Sequence, residues 1–365
     1  MALPSEAGGR VGQLTAPTAH AAVGTLGQEK TLPEGSPMAR ESLVAVSYPV
    51  DDEFTRINTG VLDGAARVVF MHGHPEDERR EILRKADVLV GWHLSEELPA
   101  GALTDSARLR FVQLLSAGAD AVDYAAMPER LLLASNAGAY AQPMAEYVMA
   151  VTLALARRLP QRHAELARGE FGMWKAVLTL DGAACVILGF GGIGKAAARL
   201  MRPFGARIHA VNTSGRTSEP VDFIGTLADL DQGLAAADVL VIALPLTRAT
   251  RGLIGARELG LMKPTAILVN VGRAAIVDER ALYEQLRDQP DFCAGLDAWW
   301  HEPGPGSAFS TGYPFFDLPN LIGSPHNSGV TDGALQFGAR MAAENVRRFL
   351  RGEAVTGVVR REDYL

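Results

Sequence analysis

Three side chains with useful chemistry stand directly after apolar, strand-like runs in the second half of the chain. Arg273 follows the run 266–271 and offers a planar fork of donors that fits a carboxylate through two hydrogen bonds. His326 follows the run 321–323, and an imidazole is the side chain best suited to proton transfer near neutral pH. Glu302, if it lies beside His326, would orient the imidazole and favour its protonated form. The three residues therefore predict carboxylate binding coupled to proton transfer.

Taken singly, each of these residues also has an ordinary structural interpretation. Arg273 could cap a strand end at the surface, His326 could be a satisfied histidine at a strand end, and Glu302 could be a loop charge. Ligands of open parallel sheets bind beyond the carboxyl ends of the strands, which is where the three residues stand. We therefore predict that they share one sheet edge and form one site.

A glycine motif, Gly-Phe-Gly-Gly-Ile-Gly, lies between the apolar run 184–188 and the helix-forming run 195–201. Alone it would fit a flexible loop, but between a strand and a helix it is the fingerprint of a dinucleotide site. Its first glycine allows a tight turn, its second lets the backbone approach a pyrophosphate, and its third lets helix and strand pack closely. The residues expected to form this site are Gly189, Gly191, Gly192, Ile193 and Gly194.

The choice between the two nicotinamide dinucleotides depends on the residue at the end of the next strand. An aspartate there would bind the ribose 2′-hydroxyl and repel a 2′-phosphate, but this chain has Asn212. Ser214 and Arg216 can donate hydrogen bonds to a phosphate. We predict a preference for NADP over NAD; the alternative is a neutral loop that accepts either.

Two series of strand-like runs, with helical patterns between them, must position these residues. The first series is Leu43–Tyr48, Arg67–Met71, Ala86–Gly91, Arg110–Leu115 and Leu131–Ser135. The second is Ala184–Leu188, Arg207–Val211, Val239–Leu244, Ala266–Val271, Phe292–Leu296 and Leu321–Gly323. Strands that alternate with helices predict an α/β fold with two domains. One is a Rossmann dinucleotide-binding domain with a six-stranded sheet, the other a flavodoxin-like substrate domain, and the site lies in the cleft between them.

Two long apolar-faced helices, 143–158 and 331–351, are predicted to connect the domains. The substrate domain then comprises residues 42–142 and 328–365, and the NAD(P)-binding domain comprises 143–327. Residues 1–41 are rich in Gly, Ala, Pro and Thr without apolar periodicity, so we expect a disordered extension.

Composition excludes several classes of function. The net charge of −7 and the lack of a basic block argue against nucleic-acid binding. No apolar run reaches the roughly 18 residues of a membrane span, and no basic segment precedes an apolar one near the start, so a cytoplasmic location is expected.

Cys185 and Cys293 stand in apolar runs, which favours buried free thiols over a disulfide or a catalytic thiol. His72 and His74 lack partners at ligand spacing, so no metal is expected.

Taken together, the motifs resemble those of the D-isomer-specific 2-hydroxyacid dehydrogenases. The resemblance extends from about Leu43 to the last residue, and the order Arg, Glu, His fits the family pattern. The presence of Glu302 separates the chain from the related formate dehydrogenases, which resemble it in fold but have no glutamate at the equivalent place. The matching segments are Gly189–Gly194, Pro245–Ile254, Asn270–Glu279, Leu296–Pro303 and Pro319–His326.

The resemblance implies a role for each matching residue. Arg273 would bind the substrate α-carboxylate and keto oxygen, and His326, partnered by Glu302, would be the acid in reduction and the base in oxidation. Asp297 would lie near the nicotinamide carboxamide. The backbone of the loop 116–120 would hold the substrate carboxylate. The remaining implied contacts are Ser116, Ala117 and Gly118 for substrate, and Pro245 and Val271 for cofactor.

The resemblance also implies an activity: NAD(P)H-dependent reduction of a 2-keto acid to a D-2-hydroxy acid, with glyoxylate or hydroxypyruvate as the favoured substrate. One alternative is a phosphoglycerate-type dehydrogenase, which would need further basic residues at the pocket. A second is a dinucleotide-sensing, corepressor-like protein on the same fold. A homodimer is implied, with the helix 143–158 and the segment 165–174 as its contact. Trp299 and Trp300, beside Glu302, could wall the pocket, although an interface or core position is favoured.

Overall fold

The computed structural model describes residues 41–304 and 306–365, so the expectation for residues 1–41 falls almost wholly outside the described residues. The first sheet is parallel and has the strand order β2-β1-β3-β4-β5, the flavodoxin-like order. Its strands are β1 (Ser42–Val46), β2 (Ala66–Phe70), β3 (Val88–Gly91), β4 (Phe111–Leu114) and β5 (Leu132–Ala134). All five predicted strands are confirmed, with ends within two residues of the prediction.

Helices separate the first four strands of this sheet along the chain. They are α1 (Asp52–Leu62), α2 (Glu76–Lys85), α3 (Leu94–Glu97) and α4 (Ala102–Asp105). α1 begins where the sequence provides a cap, since the Asp51 carboxylate accepts hydrogen bonds from the N–H groups of Glu53 and Phe54. α2 has three acidic residues in its first turn and two basic residues in its last, which suits the helix dipole.

The second sheet is also parallel, with the order β12-β11-β10-β9-β6-β7-β8. Its strands are β6 (Ala184–Leu188), β7 (Arg207–Val211), β8 (Phe223–Gly225), β9 (Val239–Ile242), β10 (Ile267–Asn270), β11 (Cys293–Leu296) and β12 (Leu321–Gly323). The order reverses between β6 and β9, which makes the doubly wound Rossmann arrangement with its ligand crevice at that point. The helices of this sheet are α7 (Gly192–Met201), α8 (Leu230–Ala236), α9 (Ala256–Leu261) and α10 (Glu279–Asp288).

The prediction of six strands in this sheet was wrong, because the structure has a seventh. β8 pairs with β7 at the sheet edge through residues 209–211 and 223–225. It is only three residues long and has two large apolar side chains, Phe223 and Ile224, so it carries no periodic signal that would set it apart from a loop.

Two long helices connect the sheets, as predicted. α5 (Ala141–Ala156) packs against α7, β10 and β11, and α6 (Leu159–Ala167) follows it. α11 (Ala334–Leu350) packs against α1 and β4 and so returns the chain to the first sheet. The α/β fold with two domains is therefore confirmed.

The core of each sheet is apolar on both faces, which explains why the strands are nearly continuous runs of Val, Ile, Leu and Ala. Cys185 and Cys293 belong to this core as buried free thiols, and burial raises the pKa of Cys185 to about 12. None of the helices in the described ranges is long and apolar enough to cross a membrane.

Candidate active site

His326 and Glu302 form a hydrogen-bonded pair at the carboxyl end of the second sheet. His326 lies three residues beyond β12, and its Nδ1 atom is 2.8 Å and 3.0 Å from the two carboxylate oxygens of Glu302. Both side chains are partly exposed, at 40% and 34%. With Nδ1–H donated to the carboxylate, Nε2 is the ring nitrogen that can exchange a proton with a ligand.

Glu302 is held in its ionised form by its surroundings. Partial burial acts to raise its pKa, but the hydrogen bonds from His326 and from the Trp299 N–H outweigh it, and the charges of His326 and Arg273 add to them. The net effect is a pKa below the ordinary value of 4.5. The Trp299 N–H donates at 2.9 Å, so the carboxylate is also fixed in orientation toward the imidazole.

The backbone of His326 has a left-handed conformation, with φ at 52°, which is uncommon for a residue other than glycine. The carboxylate of Asp297 holds this bend, because it accepts hydrogen bonds from the Ser324 hydroxyl at 2.6 Å and the Asn327 N–H at 3.0 Å. Ser328 donates to it as well, through both its N–H and its hydroxyl. Asp297 is 1% exposed and does not line the cavity described below, so its carboxylate serves the loop that carries His326.

Arg273 follows β10 and reaches across to the loop after β4. Its Nε atom donates to the Asp120 carboxylate at 3.1 Å, and its Nη1 donates to the Gly272 carbonyl at 3.1 Å. A Cβ atom on Gly118 would come within 2.2 Å of Nη2, so the guanidinium lies directly against this loop. The predicted carboxylate-binding loop and the predicted arginine are therefore brought together.

The glycine motif has the geometry that a dinucleotide needs. Gly189 has φ at 93°, and a Cβ there would lie 2.4 Å from the Ala243 carbonyl oxygen. A Cβ on Gly194 would lie 2.2 Å from the Gly189 oxygen, whereas one on Gly191 would meet open space. α7 begins at Gly192 without a side-chain cap, so its first N–H groups face a cradle with room for phosphates. The residues present thus fit a dinucleotide.

One cavity of about 1080 Å³ joins these features. Predicted site residues that line it are Ser116, Ala117, Gly118, Gly191, Gly192, Ile193, Pro245, Val271, Arg273, Glu302 and His326. Predicted site residues that do not line it are Gly189, Gly194, Asn212, Ser214, Arg216 and Asp297. Gly189 and Gly194 form the tight turn behind the cavity wall.

No group of three or more metal-ligating side chains occurs in the part of the chain that the structure describes.

Asn212 lies directly after β7, as predicted, but its amide is engaged within its own loop. Its Oδ1 accepts hydrogen bonds from the N–H groups of Ser214 at 3.1 Å and Gly215 at 2.7 Å. Its Nδ2 donates to the Arg216 carbonyl at 2.8 Å. This network shapes the loop and leaves the Arg216 side chain exposed.

Sequence reasoning missed several residues of this cavity. Asp120 ends the predicted carboxylate-binding loop 116–120, but it was given no role there. The only available signal was the presence of an acidic residue in a loop expected to approach Arg273. The cavity wall also includes Trp92 and His93, which follow β3 directly, and five residues of a segment that carries no motif: Val358, Val359, Arg360, Asp363 and Tyr364. Trp300 packs in the core on Phe315, as favoured, whereas the neighbouring Trp299 is both buried and on the cavity wall.

Comparisons with known proteins agree with this geometry. The family model described as "D-isomer specific 2-hydroxyacid dehydrogenase, NAD binding domain" matches residues 149–328. A glyoxylate reductase from Thermococcus gammatolerans is 33% identical over 297 residues, which cover 79% of this chain and 87% of that protein. A D-3-phosphoglycerate dehydrogenase from Methanocaldococcus jannaschii is 29% identical, and the match covers 87% of this chain but only 59% of that protein.

A solved structure has the same fold over most of the chain. It is a D-isomer specific 2-hydroxyacid dehydrogenase from Xanthobacter autotrophicus Py2 in complex with NADPH and MES. The TM-score is 0.74 at 25% identity, and the match covers 89% of this chain and 100% of that one. The chain therefore belongs to the D-isomer specific 2-hydroxyacid dehydrogenases, a family of NAD(P)-dependent oxidoreductases.

Proposed function

We propose that this protein reduces a small 2-keto acid of the glyoxylate or hydroxypyruvate type to the D-2-hydroxy acid. The observation that carries the proposal is the single cavity in which Arg273, the His326–Glu302 pair and the glycine motif meet. Each supplies one requirement of the reaction: an anchor for the substrate, a proton and a place for the dinucleotide. Proteins similar to this chain that are named glyoxylate reductase support the small substrate.

The residues divide the work as follows. A reduced nicotinamide, when bound, supplies the hydride that reduces the keto carbon. Arg273 and the backbone N–H groups of the loop 116–118 bind the substrate carboxylate, and Arg273 also polarises the keto oxygen. His326 gives the proton from Nε2 to that oxygen, while Glu302 holds the imidazole in orientation through Nδ1. Asp297 acts through the loop 324–328, as a positioning residue for His326.

For the dinucleotide itself, we propose a preference for NADP. The position after β7 carries no acid that would repel a 2′-phosphate, and Arg216 is exposed beside it. Asn212 contributes by holding the loop through its amide, so that the N–H groups and the guanidinium are presented together.

The phosphoglycerate-type alternative finds less support at the cavity wall. Within the described residues, the arginines and lysines that line it are Arg273 and Arg360, and Arg360 is paired with Asp363 at 3.0 Å. A phosphorylated substrate would need a free cation beyond the one that binds its carboxylate. A dinucleotide sensor on this fold would share the site but lack turnover, so activity separates the two.

We further propose domain limits near residues 142 and 328, because α5 packs on the second sheet and α11 on the first. A homodimer is proposed on the exposed apolar side chains of α6 and the segment after it, of which Trp174 is 90% exposed. A reducing, cytoplasmic compartment is consistent with the two buried free thiols.

A substrate panel tests the proposed function. Purified protein would be mixed with NADPH or NADH and with glyoxylate, hydroxypyruvate, pyruvate or 3-phosphohydroxypyruvate, and the loss of nicotinamide absorbance would be followed. We expect the highest kcat/KM with glyoxylate or hydroxypyruvate and with NADPH. Failure to oxidise either dinucleotide with any keto acid would favour the sensor, and a best rate with the phosphorylated substrate would favour the alternative enzyme.

A further inference from the structure

The segment Gly357–Leu365 lies along the cavity, beyond the last long helix. Gly357 has φ at 70°, and its carbonyl accepts a hydrogen bond from the Ser135 N–H at 2.8 Å. The Val359 N–H donates to the Leu133 carbonyl at 2.9 Å, so the segment begins as a short antiparallel addition to β5. It is therefore fixed to the edge of the substrate domain rather than free in solvent.

Further along, the same segment is held from both walls of the cleft. The Arg361 guanidinium donates to the Tyr124 carbonyl at 2.6 Å, in the substrate domain. From the other side, Arg248 donates its backbone N–H to the Asp363 carbonyl at 3.0 Å and its guanidinium to the Glu362 carbonyl at 2.8 Å. Arg248 belongs to the loop after β9 in the dinucleotide domain, so the segment bridges the two domains.

Tyr364 connects this segment to the loop that approaches Arg273. Its ring stacks on Tyr124, with 4.9 Å between centroids and 13° between planes. The Tyr124 hydroxyl donates to the Ala119 carbonyl at 2.8 Å, which ties the stacked pair to the loop that approaches Arg273. Tyr364 lines the cavity that Arg273 lines, and burial together with the nearby charge of Asp120 raises its pKa.

The wall that this segment presents to the cavity carries no net charge. Val358, Val359 and Tyr364 are neutral, and Arg360 forms an ion pair with Asp363. When the carboxylate of a 2-keto acid is bound at Arg273, the side chain of that keto acid would contact this neutral wall. The wall therefore suits an uncharged side chain, and the stacked Tyr364 ring is its largest fixed group.

We propose that the segment Gly357–Leu365 forms the end wall of the substrate site and that Tyr364 is the residue that limits the length of the 2-keto acid side chain. The inference rests on the proposed function and extends it, because it names the residue that selects short, uncharged substrates. The bridge through Arg248 keeps the wall in place when the cleft is loaded.

The test compares Tyr364→Ala and Tyr364→Phe with the wild-type protein on glyoxylate, pyruvate, 2-ketobutyrate and phenylpyruvate, with NADPH throughout. We expect Tyr364→Ala to raise the kcat/KM ratio of phenylpyruvate to glyoxylate by about tenfold or more, because a cavity opens where the ring stood. Tyr364→Phe keeps the ring and should leave the ratio within about twofold of wild type. Tyr313→Ala is the matched control, since Tyr313 also stacks on a tyrosine but does not line the cavity.

The dinucleotide Kd and the Tm accompany each comparison, and Tyr364→Leu replaces Tyr364→Ala if the latter does not fold. An unchanged chain-length profile in a folded Tyr364 variant would overturn the inference while leaving the proposed function intact. A wild-type protein that reduces neither these four keto acids nor hydroxypyruvate, with either dinucleotide, would overturn the proposed function and the inference with it.

Discussion

The Nε atom of Arg273, at the end of β10, lies 3.1 Å from a carboxylate oxygen of Asp120, in the loop after β4. The two residues belong to different sheets, so this ion pair joins the two walls of the cleft. Nε donates a hydrogen bond to Asp120, and Nη1 donates one to the Gly272 carbonyl. Nη2 lies against the loop at Gly118. The guanidinium is thus oriented before any substrate arrives.

Asp120→Ala should therefore weaken substrate binding rather than strengthen it, although it removes a competing carboxylate. Hydrogen bonds to charged groups contribute about 1.5–3 kcal/mol, so we expect kcat/KM for glyoxylate to fall by about tenfold or more, mainly through KM. Steady-state kinetics check this, with Asp123→Ala in the same loop as the control. A lower KM in Asp120→Ala would show that the pair inhibits binding instead of preparing it.

Glu302→Gln tests the carboxylate that partners His326. The pKa of Glu302 is below 4.5 in the folded protein, so its ionised form stabilises the fold above that pH, and the contribution is lost as the pH falls through the folded pKa. Replacing the carboxylate by an amide should lower kcat for reduction by about tenfold or more, because the imidazole loses the charged acceptor that orients it at Nδ1.

Steady-state kcat for glyoxylate with NADPH measures this loss, and Glu284→Gln on the surface of α10 serves as the control. An unchanged kcat in a folded Glu302→Gln variant would separate Glu302 from the proton transfer.

Cofactor preference should follow the loop after β7. Asn212→Asp introduces the acid that repels a 2′-phosphate, and Arg216→Ala removes a donor to it. We expect each substitution to lower the ratio of kcat/KM with NADPH to kcat/KM with NADH by about tenfold. A tenfold change corresponds to a loss of about 1.4 kcal/mol in the free energy that favours NADPH. Arg84→Ala in α2 removes the same charge from the other domain and should leave the ratio unchanged. A wild-type protein that already prefers NADH would contradict the NADP proposal.

The exposed apolar side chains after α6 should mark the contact between subunits. Phe171 is 76% exposed and Trp174 is 90% exposed, which is costly for side chains of this size unless a partner covers them. We expect light scattering to give the mass of a dimer for the wild type and of a monomer for Phe171→Ser/Trp174→Ser. Phe204→Ser, at an exposed position elsewhere, should remain dimeric. A monomeric wild type would remove the proposed interface.

Much of the fold was predictable because parallel strands are buried on both faces and so appear as apolar runs. β8 was not predicted, because it is a three-residue strand at a sheet edge. Its two large apolar side chains, Phe223 and Ile224, do not form such a run. The sheet edge shared by Arg273, Glu302 and His326 followed from the rule that parallel strands end together.

What could not be predicted is how each polar group is used. The resemblance implies that Asp297 lies near the nicotinamide carboxamide, and the fold also engages its carboxylate with Ser324, Asn327 and Ser328. Asn212 was interpreted as the absence of an acid, whereas its amide also holds the loop together. These partners come together only through tertiary structure. The packing of the segment 357–365 on Tyr124 likewise depends on tertiary structure.

The central claim is that His326 transfers the proton in keto acid reduction. His326→Asn is the most direct test, because asparagine tolerates the left-handed backbone at this position while offering no group that titrates near neutral pH. We predict that kcat for glyoxylate with NADPH falls by about 10²–10⁴-fold, the usual contribution of a general acid, while the Kd for NADPH stays within about twofold. A folded His326→Asn variant that keeps kcat within about threefold of the wild-type value would contradict the account.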